Sequence, residues 1–221
     1  MRKDLETLIE KHKNFYEELY ELLTEYNSKF NLTAIKSKED YYTKHIADSM
    51  LGLPYVKGKV LDIGSGAGFP ALVLKTENPD LDITMVDSVG KKINYLNAVI
   101  EKLGLKGIIA VHNRIEDIGG HESYDTVTAR AVARLNVLAE YALPYLKTGG
   151  NFVAYKASDS DEEIKEAKYA IGLLGGRIKD IKEEILDENT VRRIVIIEKI
   201  KNTPSSYPRK NNKPRISPLI G

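Results

Sequence analysis

"LDIGSGAGFP", residues 61–70, sets three glycines into five positions directly behind a short apolar run. "KVLDIG" (59–64) is β-rich and "FPALVLK" (69–75) is ready to start a helix, so Gly64, Gly66 and Gly68 stand at a strand-to-helix turn. Glycine lets the backbone turn sharply and approach a ligand without a Cβ collision. In an open α/β sheet such a turn lies at the carboxyl ends of the strands, where nucleotide-like ligands bind.

The runs downstream fit that setting. "LDITMVD" (81–87), "GIIAVH" (107–112), "YDTVTA" (124–129) and "NFVAYK" (151–156) read as short strands, and the segments between the first three strand runs and before the last read as helices. The alternation predicts a parallel sheet covered by helices on both faces. "GGRIKDIKEEIL" (175–186) and "VRRIVIIEKI" (191–200), joined by the polar "DENT" (187–190), predict a hairpin instead of another crossover. Upstream, Leu5, Leu8, Ile9, Phe15, Leu19, Leu22 and Leu23 recur at helical spacing across residues 2–26. After the turn formers of "NSKFNLTAI" (27–35), "SKEDYYTKHIADSMLGL" (37–53) resumes a helix that Ser37 caps, with Asp40 in its first turn. The expected division is a helical extension over residues 1–55, a sheet domain over 56–200 and a basic tail over 201–221.

With 221 residues, 42% hydrophobic and 29% charged, the chain can bury a substantial core without a disulfide or metal staple. It has no cysteine, which excludes a disulfide framework and thiolate metal sites, and no metal site is expected. The opening "MRKDLETLIEKHK" lacks the apolar stretch of a signal peptide, and no run approaches the ~18 apolar residues of a membrane span. A cytoplasmic protein without membrane contact, and a monomer, is the expectation. The net charge of +1 supplies no global attraction to a polyanion, so such binding must come from locally placed charge. From Lys201 onward there is no acidic residue, while Lys201, Arg209, Lys210, Lys213 and Arg215 are basic. That tail suits a phosphate backbone or a disordered solubilising end, and its removal is expected to spare the cofactor site.

Asp87 ends the second strand run, where its two carboxylate oxygens can accept both hydroxyl protons of a ribose. A nucleoside is therefore implied, but the residue serves NAD and S-adenosylmethionine equally. Phe69 occupies the place where a dinucleotide fingerprint wants its third small residue.

The choice comes from local sequences taken together. "HIADS" (45–49), "VLDIGSGAGFP" (60–70), "VDSVGKKINYL" (86–96), "YDTVTARAVARLNVLAE" (124–140), "LPYLKTGG" (143–150) and "YPRK" (207–210) resemble the glucose-inhibited division protein B family. Its members are bacterial 16S rRNA guanine-N7 methyltransferases. Ala71, "YKAS" (155–158) and "RKNNKPR" (209–215) depart from the family's usual sequence.

The resemblance implies an α/β fold of the class I S-adenosylmethionine-dependent methyltransferases, Rossmann-like, with a mostly parallel seven-stranded sheet, a C-terminal β-hairpin and added N-terminal helices. It implies methyl transfer to a guanine of 16S rRNA, number 527 in the usual numbering, in naked rRNA, a precursor particle or the finished small subunit. Gly64 and Phe69 match the family's cofactor contacts in the loop, which Gly66 and Gly68 complete. Asp87 holds the ribose, Ile115 and Glu116 frame the adenine, and Arg130 lies at the cofactor end of the pocket. Asp62 balances the methionine amino group, as in the wider class.

Guanine N7 carries an in-plane lone pair and no proton to remove, so no general base is required and alignment is the mechanism. Arg130 and Arg134 are the positioning candidates. In A-form RNA this edge faces a deep, narrow groove, so the target base must lie in a loop or be extruded. Phe69, Tyr155, Arg130 and Arg134 are candidate platforms for it, and Lys156, Arg209 and Lys210 candidate phosphate contacts. His45 and Asp48, at i, i+3 on a helix, suit a structural hydrogen bond joining the N-terminal helices to the sheet. A nicotinamide-dependent oxidoreductase and a non-catalytic RNA-binding or ribosome-assembly module are the alternative readings.

Overall fold

The computed structural model describes residues 2–35, 37–187 and 190–221. Strands β1 (Lys59–Ile63), β2 (Asp82–Asp87), β3 (Ile108–His112), β4 (Tyr124–Arg130), β5 (Leu146–Ala157), β6 (Gly176–Asp187) and β7 (Thr190–Lys199) form one sheet in the order β3-β2-β1-β4-β5-β7-β6. The first five are parallel; β7 runs antiparallel to both β5 and β6. The hairpin expected at the end of the sheet is therefore present, with Glu188 and Asn189 of its "DENT" connection outside the described residues.

Adjacent strand residues feed opposite faces, as a two-residue period requires. Val60, Ile83, Val153 and Ile196 join the core beneath the N-terminal helices, α5 (Ala71–Glu77) and α6 (Gly90–Lys102). Their neighbours Leu61, Phe152 and Ile197 join the core under α7 (Leu135–Ala142) and α8 (Asp161–Leu173). Burial on both faces explains why the central strands are nearly continuous apolar runs. The edge strand β6 instead alternates Ile with Lys, Asp and Glu, which leaves charge along an unpaired edge.

The helix expected over residues 2–26 is two helices, α1 (Lys3–Lys11) and α2 (Lys13–Lys29), broken where His12 leaves helical backbone at φ −114°, ψ 24°. Ser37 caps as expected, its Oγ accepting from Asp40 N–H at 3.1 Å. The helix that follows is not regular: α3 (Lys38–Asp40) and α4 (Asp48–Met50) flank π-helical turns over Tyr41–Ala47. Tyr16 OH donates to Glu77 at 2.5 Å and Tyr41 OH to the Tyr16 carbonyl at 2.9 Å, so the extension packs into the core of the sheet domain. No helix among the described residues is long and apolar enough to cross a membrane.

The basic tail is not a loose end. Beyond β7 the chain turns back over α7, where Arg209 donates from Nε at 2.8 Å and from its guanidinium NH2 at 2.6 Å to the two oxygens of Glu140, a fully buried carboxylate. The short helix α9 (Lys213–Ile216) then rests beside the carboxyl ends of the strands.

Candidate cofactor and substrate site

Chain order reverses between β1 and β4, and their carboxyl ends open a crevice. The glycine loop is pinned there because the N–H groups of Gly64 and Ser65 both donate to the Val86 carbonyl at 2.8 and 3.1 Å. Gly66 N–H donates to Asp87 Oδ2 and Val89 N–H to Asp87 Oδ1, each at 2.9 Å. Asp87 thus holds the loop and caps the turn into α6, while each oxygen keeps a second lone pair for a ligand hydroxyl.

The glycines have different reasons. A Cβ on Gly68 (φ +91°) would collide with Leu72 and crowd Leu96, so this glycine lets the loop close onto its own helices. A Cβ on Gly66 (φ +57°) would meet nothing nearer than the Gly64 carbonyl at 3.7 Å, so here the left-handed backbone, and not crowding, calls for glycine. A Cβ on Gly64 (φ +66°) would likewise collide with Val132, so the space at Gly64 and Gly68 is taken by the chain itself.

The crevice has a volume of about 450 Å³, and among the residues lining it are Gly64, Asp87, Ile115, Glu116, Asn212 and Arg215. Gly66, Gly68, Phe69, Asp62 and Arg130 do not line it. Asp62 is buried behind the loop; its Oδ1 accepts from Thr128 at 2.6 Å, and its Oδ2 has no partner. Burial pushes its carboxyl up to about 6 against the opposing hydrogen bonds of Ser65 and Thr128. A buried carboxylate oxygen without a donor fits an ammonium group, and Asp87 fits vicinal hydroxyls.

Phe69 and Arg130 belong to a second cluster, on the side of the N-terminal helices. The Phe69 ring stacks on His45 at 4.4 Å, nearly parallel, and the Arg130 guanidinium lies 5.6 Å from its centre. Arg130 donates at 2.8 Å to both the Lys44 carbonyl and Asp48 Oδ2, and at 2.9 Å to His45 Nδ1. Asp48 Oδ1 accepts from Arg192 on β7 at 3.0 Å. The structural role expected of His45 and Asp48 is thus carried through two arginines of the sheet. Arg130, expected at the cofactor end of the pocket, directs its donors to the π-helical turns.

Three residues expected to meet RNA are engaged within the chain. Tyr155 is no platform, because its ring is buried and its OH donates to the Ser49 carbonyl at 2.8 Å. Lys156 Nζ donates to the Ala133 carbonyl at 2.8 Å and to Glu163 at 2.5 Å, which turns it from solvent. Arg209 is held by Glu140. Arg134 and Lys210 are exposed, paired with Glu166 and Asp117 respectively.

The sequence reading missed Lys92, Asn113, Val132, Tyr141, Asn212 and Arg215 as lining residues. Lys92 lies inside the motif "VDSVGKKINYL" (86–96), whose own spacing gives it no role. Asn212 and Arg215 had no local signal, since only chain reversal after β7 brings them to the crevice. Removing the tail therefore cannot spare this site.

Sheet order, loop and crevice together define a class I S-adenosyl-L-methionine-dependent methyltransferase. The family model described as rRNA small subunit methyltransferase G matches residues 12–191, and the chain belongs to that family. It is similar to ribosomal RNA small subunit methyltransferase G of Staphylococcus carnosus, 45% identical over 97% of this chain and 93% of that one. The Lactococcus lactis protein of the same name is also 45% identical, over 96% and 93%. In fold it is similar to M. jannaschii TYW2 in complex with AdoMet, with a TM-score of 0.58 and 14% identity over 76% of this chain and 80% of that one. A T. thermophilus 16S rRNA methyltransferase in complex with AdoMet and guanosine gives 0.50 and 19%, over 71% and 39%.

Proposed function

We propose that the protein transfers the methyl group of S-adenosylmethionine to N7 of a guanine in 16S rRNA, number 527 in the usual numbering. The observation that carries the reading is the crevice at the β1/β4 switch point, with Asp87 at the end of β2 and the unpartnered oxygen of Asp62 behind the loop. Asp87 accepts the ribose hydroxyls, Asp62 takes the amino group, and Ile115 and Glu116 flank the base. When bound, the sulfonium supplies an activated methyl group.

The chain's own part is positioning. The glycine loop and Asp87 place the donor, and the stack of His45, Phe69 and Arg130 braces the loop from behind. Guanine N7 attacks with a lone pair it already has, so no side chain must remove a proton. His45 has no part in proton transfer, because burial lowers its ring to about 3 and both nitrogens are engaged. The exposed Arg134 and Lys210 supply phosphate contacts for an RNA segment whose target base is swung out of its helix.

The test is to incubate the protein with labelled S-adenosylmethionine and small-subunit rRNA, naked and in particles, from cells lacking this modification. Mass spectrometry then maps the label. A 7-methylguanine at the stated position supports the reading. Cofactor binding with no transfer to any of these RNAs would favour a binding module instead.

A further inference from the structure

The tail that sequence assigned to RNA is built into the cofactor crevice. Arg209 anchors it on Glu140, and two consecutive left-handed residues, Asn211 (φ +57°) and Asn212 (φ +58°), then turn it inward. Asn tolerates that backbone, whereas β-branched residues do not. The turn brings Asn212 N–H to Glu116 Oε1 at 3.1 Å, and Arg215 fastens the following helical turn by donating to the Val132 carbonyl at 3.0 Å. Both residues line the crevice beside Glu116 and Tyr141.

The consequence concerns the base of the ligand. With the ribose at Asp87, its base must extend away from the glycine loop, toward the end of β3 and the turn Ile115–Asp117. There Glu116 is buried, and among the described residues its Oε2 has no hydrogen-bond partner. A carboxylate accepts but cannot donate, so it favours an exocyclic 6-amine pointed at it over a 6-oxo oxygen in the same place.

We propose that the C-terminal segment Tyr207–Ser217 is the outer wall of the base subsite, and that Asn212 is a positioning residue. Its N–H fixes the Glu116 carboxylate so that the cofactor's 6-aminopurine is selected. The inference rests on the cofactor reading above. It makes the tail part of the methyl-donor site, and ordering of the tail and binding of the nucleoside are coupled.

The experiment measures, by calorimetry on the full chain, the affinities for S-adenosylhomocysteine and for its 6-oxo counterpart, S-inosylhomocysteine. The intact protein should prefer the 6-amino form. Asn212→Val, which opposes the left-handed turn, should weaken S-adenosylhomocysteine binding roughly tenfold, the scale of losing a hydrogen bond to a charged group, and shrink the preference. Asn212→Gly, which keeps the turn and the N–H, should retain both. Hydrogen exchange of amides 209–217 in the unaltered chain should slow when S-adenosylhomocysteine is added. Unchanged affinity and preference in Asn212→Val, or unchanged exchange of those amides, would overturn the inference while the cofactor reading stands. An intact chain that binds neither ligand would overturn both.

Discussion

Arg130 NH2 lies 2.9 Å from His45 Nδ1. A guanidinium only donates, so Nδ1 must be the bare nitrogen of a neutral ring, with the proton on Nε2 donated to Thr33 Oγ1 at 2.9 Å. Burial, then the charge of Arg130, lowers this histidine from 6.5 to about 3. A lowered base binds its proton more readily in the unfolded chain. Its contribution to stability is thus complete above about pH 6.5 and is lost as pH falls toward 3. The slope is at most about 1.4 kcal/mol per pH unit. Chemical denaturation between pH 7 and 5 should show the native protein losing stability more steeply than His45→Asn. Parallel slopes would mean the ring is not held neutral.

Asp62 titrates in the opposite sense. Burial raises its carboxyl to about 6, so the folded protein binds this proton where an unfolded Asp has released it. An ammonium group docking on Oδ2 would expel it. Calorimetry in buffers of different ionisation enthalpy should therefore detect proton release on S-adenosylhomocysteine binding near pH 5, with affinity rising as pH climbs through about 6. In Asp62→Asn the release should vanish.

Asp87 and Asp48 are both buried and bear different loads. Asp87→Ala removes the acceptor of two backbone N–H groups and the ribose partner, so affinity should collapse and stability fall by roughly 1–3 kcal/mol. Asp48→Ala strands Arg130 and Arg192 together, a loss of about 3–5 kcal/mol with a smaller effect on affinity. Melting and binding measured on both variants check the ordering.

The loop glycines offer a sharper contrast. Gly66→Ala adds only left-handed strain, roughly 1–2 kcal/mol, in open space, but at the residue whose N–H holds Asp87, so the protein should fold and bind S-adenosylhomocysteine poorly. Gly68→Ala drives a methyl into Leu72 and should destabilise the fold itself. Equal losses of melting temperature in the two variants would contradict these assignments.

For RNA, removing Arg134 or Lys210 should flatten the logarithmic salt dependence of binding by about 0.7 per phosphate contact on a single strand, or about 0.9 on a B-form duplex. Lys156→Ala should leave that slope unchanged, because its charge is spent on Glu163 and the Ala133 carbonyl.

The sequence by itself determined the parallel strands, the glycine turn and the acid that follows it. Short β-rich apolar runs, three glycines at one turn and an acid at the end of the next strand are local patterns, and local backbone preferences enforce them. Ser37 and the terminal hairpin were legible for the same reason. Only the tertiary structure decided which charged residues are free. Arg130 read as a cofactor contact, and Lys156 and Arg209 as phosphate contacts, because a sequence shows a charge and not its partner. Asp48, Glu163 and Glu140 reach them across 82, 7 and 69 residues. Long-range closure also carried Asn212 to Glu116, 96 residues away, so that the tail became a wall of the site.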